Sequence, residues 1–243
     1  MSIDSSIRFA AVLPAGGLGK RMGAKLPKQL LSLGGKPVYR HSLETFAQIP
    51  SIAEVVLAVP ADWKSQFEDE LSDFPAANKL KIVIGGKERW ESVRNGIEAL
   101  SPQVEFALVH DVARPLVSKE LIEQVMETSV KKGACIVAKP SADTVKSVEH
   151  CQIVKTIPRD SIYLAQTPQA ASVKLFRELY AKLDAKPLTF LPTDEASIFE
   201  HFGIPVFIVA GNSLNDKLTT PSDLEFFSAL LEARSHAHSQ SSR

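Results

Sequence analysis

An apolar run at residues 9–13 opens directly into the stretch LPAGGLGKRMGAKLPK, residues 13–28. This junction constrains the fold more than any other part of the chain. An apolar run ending in Gly16, Gly17 and Gly19 reads as a buried strand whose end turns sharply, leaving backbone N–H groups facing outward where no side chain blocks an anion. Lys20, Arg21, Lys25 and Lys28 place four cations within nine residues beside that turn. Such a set can neutralise a polyphosphate and the charge that builds up when phosphorus is attacked.

Neither of the two commonest glycine-rich phosphate loops fits. Gly19 and Lys20 are followed by Arg21 rather than Ser or Thr, and Met22 stands where the dinucleotide fingerprint needs a small residue. The spacing that does fit is AGGxGxRMxxxxPKQ, formed by Ala15, Gly16, Gly17, Gly19, Arg21, Met22, Pro27, Lys28 and Gln29. It resembles that of the nucleotidyltransferases that join a sugar or alditol phosphate to a nucleotide.

Further apolar runs follow at 55–59, 82–84, 106–109, 134–138 and 206–209, with amphipathic segments between them. Short apolar runs without alternation suit strands buried on both faces, and helical patterns between them make βαβ units. The expected fold is α/β and Rossmann-like, a mostly parallel sheet with helices on both faces. Helices are expected over 38–48, 63–71, 88–100, 118–131, 172–183, 193–202 and 221–233. Thr220 before Pro221, with Asp223 in the first turn, is a helix-start pattern. One segment breaks the rhythm: the alternation of Thr144, Lys146 and Val148, then Ile153 and Lys155, about polar His150 reads as two strands joined by a turn. This protruding β-arm, at about 141–158, is too polar for a core and suits the surface or a partner subunit. Residues 1–234 are expected to form one domain, and the polar end SHAHSQSSR, residues 235–243, a disordered tail.

With 243 residues, 44% of them hydrophobic, the chain can build one large core. Lys plus Arg and Asp plus Glu both number 28, a balance that argues against bulk nucleic-acid binding or a polybasic membrane surface but permits a local basic pocket. Cys135, in an apolar run, reads as core, and Cys151 is unassigned; two thiols make neither a disulfide framework nor a zinc site. No signal peptide and no span of membrane length is read, so the expected setting is the cytoplasm, or an organelle after processing.

The chemistry concentrates in four further strings. HDVARP, residues 110–115, follows the run at 106–109, so Asp111 emerges at a carboxyl end of the sheet, where ligands bind in open α/β folds. There it can hold a divalent metal for a polyphosphate, or cap a turn with Arg114 paired to it; the glycine stretch favours the metal. GGKERWESV, residues 85–93, puts Gly85 and Gly86 after a strand and Ser92 in the next helix, where main-chain groups could read a pyrimidine edge. RDSIYLAQTPQ (159–169) and NDKLTTPSD (215–223) place Arg159 and Lys217 to meet a second anionic group.

In order from about residue 9 to 231, the strings PAGGLGKRM, PKQ, GGKERWESV, HDVARP, DTVK, RDSIYLAQTPQ, TDEAS and NDKLTTPSDL resemble the 2-C-methyl-D-erythritol 4-phosphate cytidylyltransferase family of non-mevalonate isoprenoid biosynthesis. The resemblance implies a nucleotidyltransferase fold and a Mg²⁺-dependent transfer from CTP to a polyol phosphate. It implies that Ala15, Gly16, Gly17 and Gly19 wrap the CTP phosphates, that Arg21 and Lys28 are the principal catalytic cations, and that Lys217 touches the phosphates from the opposite side. Gly85, Gly86 and Ser92 would contact the cytosine and its ribose, and Asp111 would lie by the magnesium and the substrate. It implies a homodimer with interlocking arms, in which Thr144 and Arg159 bind methylerythritol phosphate in the neighbour's site, with Arg114 nearby and Thr167 contributed by the site's own subunit. Two departures stand out. Lys87 occupies a position where some bacterial relatives carry aspartate, and Leu214 precedes Asn215 where the family has an acidic residue, so no second carboxylate metal ligand is expected. Ribitol 5-phosphate cytidylyltransferases share the glycine loop, PKQ, HDxxRP and QTPQ, which makes that polyol phosphate the alternative acceptor; DTVK, RDSIYLAQTPQ and TDEAS fit the methylerythritol branch better.

Overall fold

Strand β1 (Phe9–Pro14) sends Phe9, Ala11 and Leu13 into one hydrophobic core and Ala10 and Val12 into another, all of them fully buried. A strand apolar on both faces needs cover on both, and the chain supplies it in α/β order. A small hairpin, β2 (Ser32–Leu33) and β3 (Lys36–Pro37), precedes α1 (Val38–Ala47) and β4 (Ile52–Val59). Next come α2 (Lys64–Glu70), β5 (Leu80–Ile84), α3 (Arg89–Glu98), β6 (Phe106–Val109), α4 (Lys119–Lys132) and β7 (Ala134–Pro140). A second hairpin, β8 (Val145–Glu149) and β9 (Gln152–Ile157), leads to β10 (Tyr163–Ser172), α5 (Val173–Asp184), α6 (Glu195–His201), β11 (Val206–Ala210) and α7 (Pro221–Ser241). This computed structural model describes residues 4, 6–16, 27–185 and 190–241, the side chains of 234–241 excepted. Gly17, Gly19 and Arg21 lie outside the described residues.

The central sheet runs β11-β7-β10-β6-β1-β4-β5. Every neighbouring pair is parallel except those of β10, which runs antiparallel to both β6 and β7. Helices α1, α2 and α4 cover one face through Tyr39, Leu43, Phe46, Phe67, Ile122, Val125 and Met126. Helices α3, α5 and α6 cover the other through Val93, Ile97, Phe176, Leu179, Ile198 and Phe199. Each such buried side chain contributes about 1.5–3 kcal/mol. Ser118 and Ser172 start α4 and α5 by accepting the N–H of Leu121 and Leu175, as N-caps do. Gly96 sets the depth of α3: a Cβ there would stand 2.4 Å from Val12 Cγ1, so only glycine lets the helix lie this close to β1.

Each strand and helix expected from the sequence forms, within a few residues at the ends. Three features differ. The segment carrying QTPQ, expected as neither strand nor helix, is a ten-residue strand, β10, in the middle of the sheet. The β2–β3 hairpin was not anticipated. The last helix continues past Ala233 to Ser241, through most of the stretch expected to be a disordered tail, because neither proline nor glycine follows Pro221 to stop it. The arm is an antiparallel hairpin that turns at His150 and Cys151. No helix among the described residues is long and apolar enough to cross a membrane.

Candidate active site

The parallel strands end on one edge of the sheet. There β1 delivers Ala15 and Gly16, β5 delivers Gly85 and Gly86, and β6 delivers His110 and Asp111. The segment after β11 brings Asn215 and Lys217 to the same edge. Antiparallel β10 contributes Gln166 and Thr167, where its pairing with β7 slips between Ala165 and Gln169. An open cleft of about 260 Å³ results, lined by Arg89, Asp111, Arg114, Ala165, Gln166, Thr167, Gln169, Thr193, Asp194 and Lys217.

Asp111, 8% exposed, is the electrostatic centre. Arg89 Nε donates to its Oδ1 at 2.9 Å and Lys217 Nζ to its Oδ2 at 2.6 Å. Burial alone would raise its pKa, but the cations Arg89 and Lys217 hold the carboxyl well below the usual carboxylate range. Behind Arg89, fully buried Glu195 accepts a bidentate pair from Nη1 and Nη2 at 2.8 and 3.0 Å. Burial pushes the Glu195 carboxyl up, against the pull of Arg89. Arg114 does not pair with Asp111 through its side chain. Its guanidinium donates to the carbonyls of Asn215 and Ala165, at 2.9 and 3.4 Å, and ties the HDVARP turn to two other segments of the site.

His110 is fully buried, and burial lowers its pKa to about 4, so it is neutral near pH 7. Its partners dictate the tautomer. Nε2 lies 3.2 Å from the Arg114 carbonyl, which can only accept, so Nε2 carries the proton. Nδ1 therefore accepts from the Thr167 hydroxyl at 3.0 Å, and that hydroxyl in turn accepts the Asp111 N–H at 3.1 Å. Thr167 thus fixes the Asp111 backbone as well as lining the cleft.

On the glycine side, Ser92 is 2% exposed, and its hydroxyl accepts the Gly86 N–H at 3.0 Å while donating to the Glu88 carbonyl at 3.3 Å. A Cβ on Gly85 would stand 2.7 Å from that hydroxyl and one on Gly16 3.4 Å, so Ser92 bridges the ends of β1 and β5. Gln29 secures the β1 end by donating to the Ala15 carbonyl at 2.6 Å. Lys28 Nζ donates to the Leu218 carbonyl at 3.2 Å, and Leu218 N–H donates to the Ala113 carbonyl at 2.8 Å. These two bonds join the PKQ segment, the Lys217 segment and the HDVARP turn.

The sequence-predicted residues Ala15, Gly16, Lys28, Gly85, Gly86, Ser92, Asp111, Arg114, Thr167 and Lys217 therefore gather at one edge of the sheet. Thr144 and Arg159 do not line the cleft of their own chain. Both are exposed at the foot of the arm, where Arg159 Nη1 donates to the Ala142 carbonyl at 2.8 Å. Arg89 and Glu195 sat inside the strings GGKERWESV and TDEAS but were not singled out. They are 106 residues apart, and no local pattern announces their pairing.

Among the described residues no group of three or more His, Cys, Asp or Glu side chains is arranged to hold a metal. A metal here would rest on the Asp111 carboxylate, with its shell completed by substrate oxygens and water. That donor set suits Mg²⁺, which commonly uses one or two carboxylates and substrate phosphates.

Residues 9–233 match the family described as 2-C-methyl-D-erythritol 4-phosphate cytidylyltransferase (IspD). The chain is 39% identical over 225 residues to the enzyme of that name from Halalkalibacterium halodurans, across 93% of this chain and 97% of the relative. It is 39% identical over 227 residues to that of Syntrophus aciditrophicus, across 93% and 96%. The crystal structure of a 4-diphosphocytidyl-2C-methyl-D-erythritol synthase from Anaerococcus prevotii superposes with a TM-score of 0.81 at 32% identity, covering 94% of this chain and all of the other.

Proposed function

The chain belongs to the 2-C-methyl-D-erythritol 4-phosphate cytidylyltransferase family, and from that membership we propose that the cleft around Asp111 is where CTP and 2-C-methyl-D-erythritol 4-phosphate react. The activity is that of a nucleotidyltransferase of isoprenoid biosynthesis, giving 4-diphosphocytidyl-2-C-methyl-D-erythritol and pyrophosphate. The observation that carries the siting is Asp111 itself, a deeply ionised carboxylate at the carboxyl edge with a cation on each oxygen, beside a cleft lined by Arg114 and Lys217.

A phosphate oxygen of the acceptor attacks the α-phosphorus of CTP in line; the new P–O bond forms as the α–β bond breaks and pyrophosphate leaves with the electron pair. A phosphate monoester is largely dianionic near pH 7, so the attack needs no general base, and neutral His110 is assigned a structural role. What the protein supplies is position and positive charge. Lys28 and Lys217 meet the phosphates from two sides, and Arg21 follows charge onto the leaving group. Ser92 keeps Gly85 and Gly86 close to the base, and Thr167 holds Asp111 in place. Asp111 would hold Mg²⁺, which when bound withdraws charge from the phosphates.

We take the working form to be a homodimer in the cytoplasm. The arm exposes Val148, Ile153 and Val154, and nearby strands expose Tyr163, Leu164 and Ile208, apolar surface suited to a second copy. Thr144 and Arg159 would then complete the partner's acceptor pocket. The test is pyrophosphate release with CTP and Mg²⁺, offering methylerythritol phosphate and ribitol 5-phosphate in parallel. Preference for the first is expected; preference for the second would discard this acceptor.

A further inference from the structure

Glu195, at the start of α6, is 0% exposed, and both of its oxygens are taken by the Nη atoms of Arg89. A buried ion pair is a poor device for stability, since well-packed apolar residues usually serve as well. Its place behind the cleft suggests another use. Arg89 turns only its Nε toward Asp111, at 2.9 Å, and Lys217 takes the other oxygen at 2.6 Å. Without Glu195 the carboxylate of Asp111 would face two cations and the group would carry a net positive charge. With Glu195 the four charges cancel.

We propose that Glu195 is a positioning residue for the divalent cation: it neutralises Arg89 and fixes its guanidinium, so that Asp111 stays anchored yet can receive Mg²⁺. The inference rests on the reading of Asp111 as the metal carboxylate. It predicts effects that follow charge rather than packing.

The experiment measures CTP binding by calorimetry, without acceptor, in Mg²⁺ and again in EDTA; the ratio of the two affinities is the gain due to metal. Glu195→Gln, nearly isosteric, should cut that gain about tenfold, because an uncompensated guanidinium then opposes the metal. The double variant Arg89→Gln/Glu195→Gln, which removes both charges, should restore it to within about threefold of the unsubstituted protein. If Glu195→Gln keeps the full gain, or the double variant is no better than the single, the inference is overturned. Should the single variant fail to fold, the double variant decides alone: a gain near that of the unsubstituted protein supports the inference and a lost gain refutes it. Asp111→Asn separates the two readings. If it leaves the gain intact, the assignment of the metal to Asp111 fails; if it abolishes the gain while Glu195→Gln does not, only the role of Glu195 fails.

Discussion

Asp111, Thr167 and His110 form one chain of hydrogen bonds, and its proton positions follow from partners that can only donate or only accept. This has a consequence for pH. The unfolded chain protonates this imidazole near its ordinary value of 6.5, whereas the folded protein resists until about 4. Between those values the unfolded state binds more protons, so stability rises with pH across the window and is lost as pH falls through it, by about 3 kcal/mol for complete burial. Urea unfolding at pH 7, 5.5 and 4 should show this loss, and His110→Gln should flatten it; an unchanged slope in the variant would assign the loss to other groups. At this scale the sequence was informative wherever a residue ended a strand or sat in a long string, as Asp111, Thr167 and Lys217 do. It was silent on Arg89 and Glu195, whose partnership depends on how the starts of α3 and α6 come together over one face of the sheet and leaves no periodic trace.

Among the elements, the arm and β10 differ in how clearly the sequence announces them. The arm alternates and turns, so it was legible as a hairpin. Strand β10 carries Gln166, Pro168 and Gln169 where a buried strand would be continuously apolar, because the slip in its pairing turns polar side chains into the cleft. These cleft-lining polar residues erased the strand signal. The arm turns on His150 and Cys151 with φ of +48° and +65°, a left-handed conformation that costs non-glycine residues on the order of 1 kcal/mol each. Replacing the pair by Asn-Gly should relieve this and slow amide hydrogen exchange across Val145–Glu149 and Gln152–Ile157 by roughly fivefold for each kcal/mol gained. Faster or unchanged exchange would show that the turn is not strained.

For the whole molecule, the alternation of strand and helix predicted the α/β sandwich, and the glycine stretch pointed to the sheet edge at which Asp111, Thr167 and Lys217 gather. The sheet order was not legible, because the insertion of antiparallel β10 between β6 and β7 is decided by long-range pairing. The proposed sharing of sites between copies makes a prediction at this scale. Asp111→Asn and Arg159→Ala, each nearly inactive alone, should regain activity when co-expressed, since a mixed dimer contains one site with neither substitution. No recovery in a confirmed mixed dimer would place Arg159 in its own chain's site. The central claim, that transfer to methylerythritol phosphate occurs at the Asp111 cleft, is tested most directly by steady-state pyrophosphate release from CTP in the unsubstituted protein and in Asp111→Asn, with folding of the variant verified by its melting curve. The account predicts robust turnover in the first and a kcat lower by roughly 10²-fold or more in the second; a folded Asp111→Asn protein that retained nearly full turnover would contradict it.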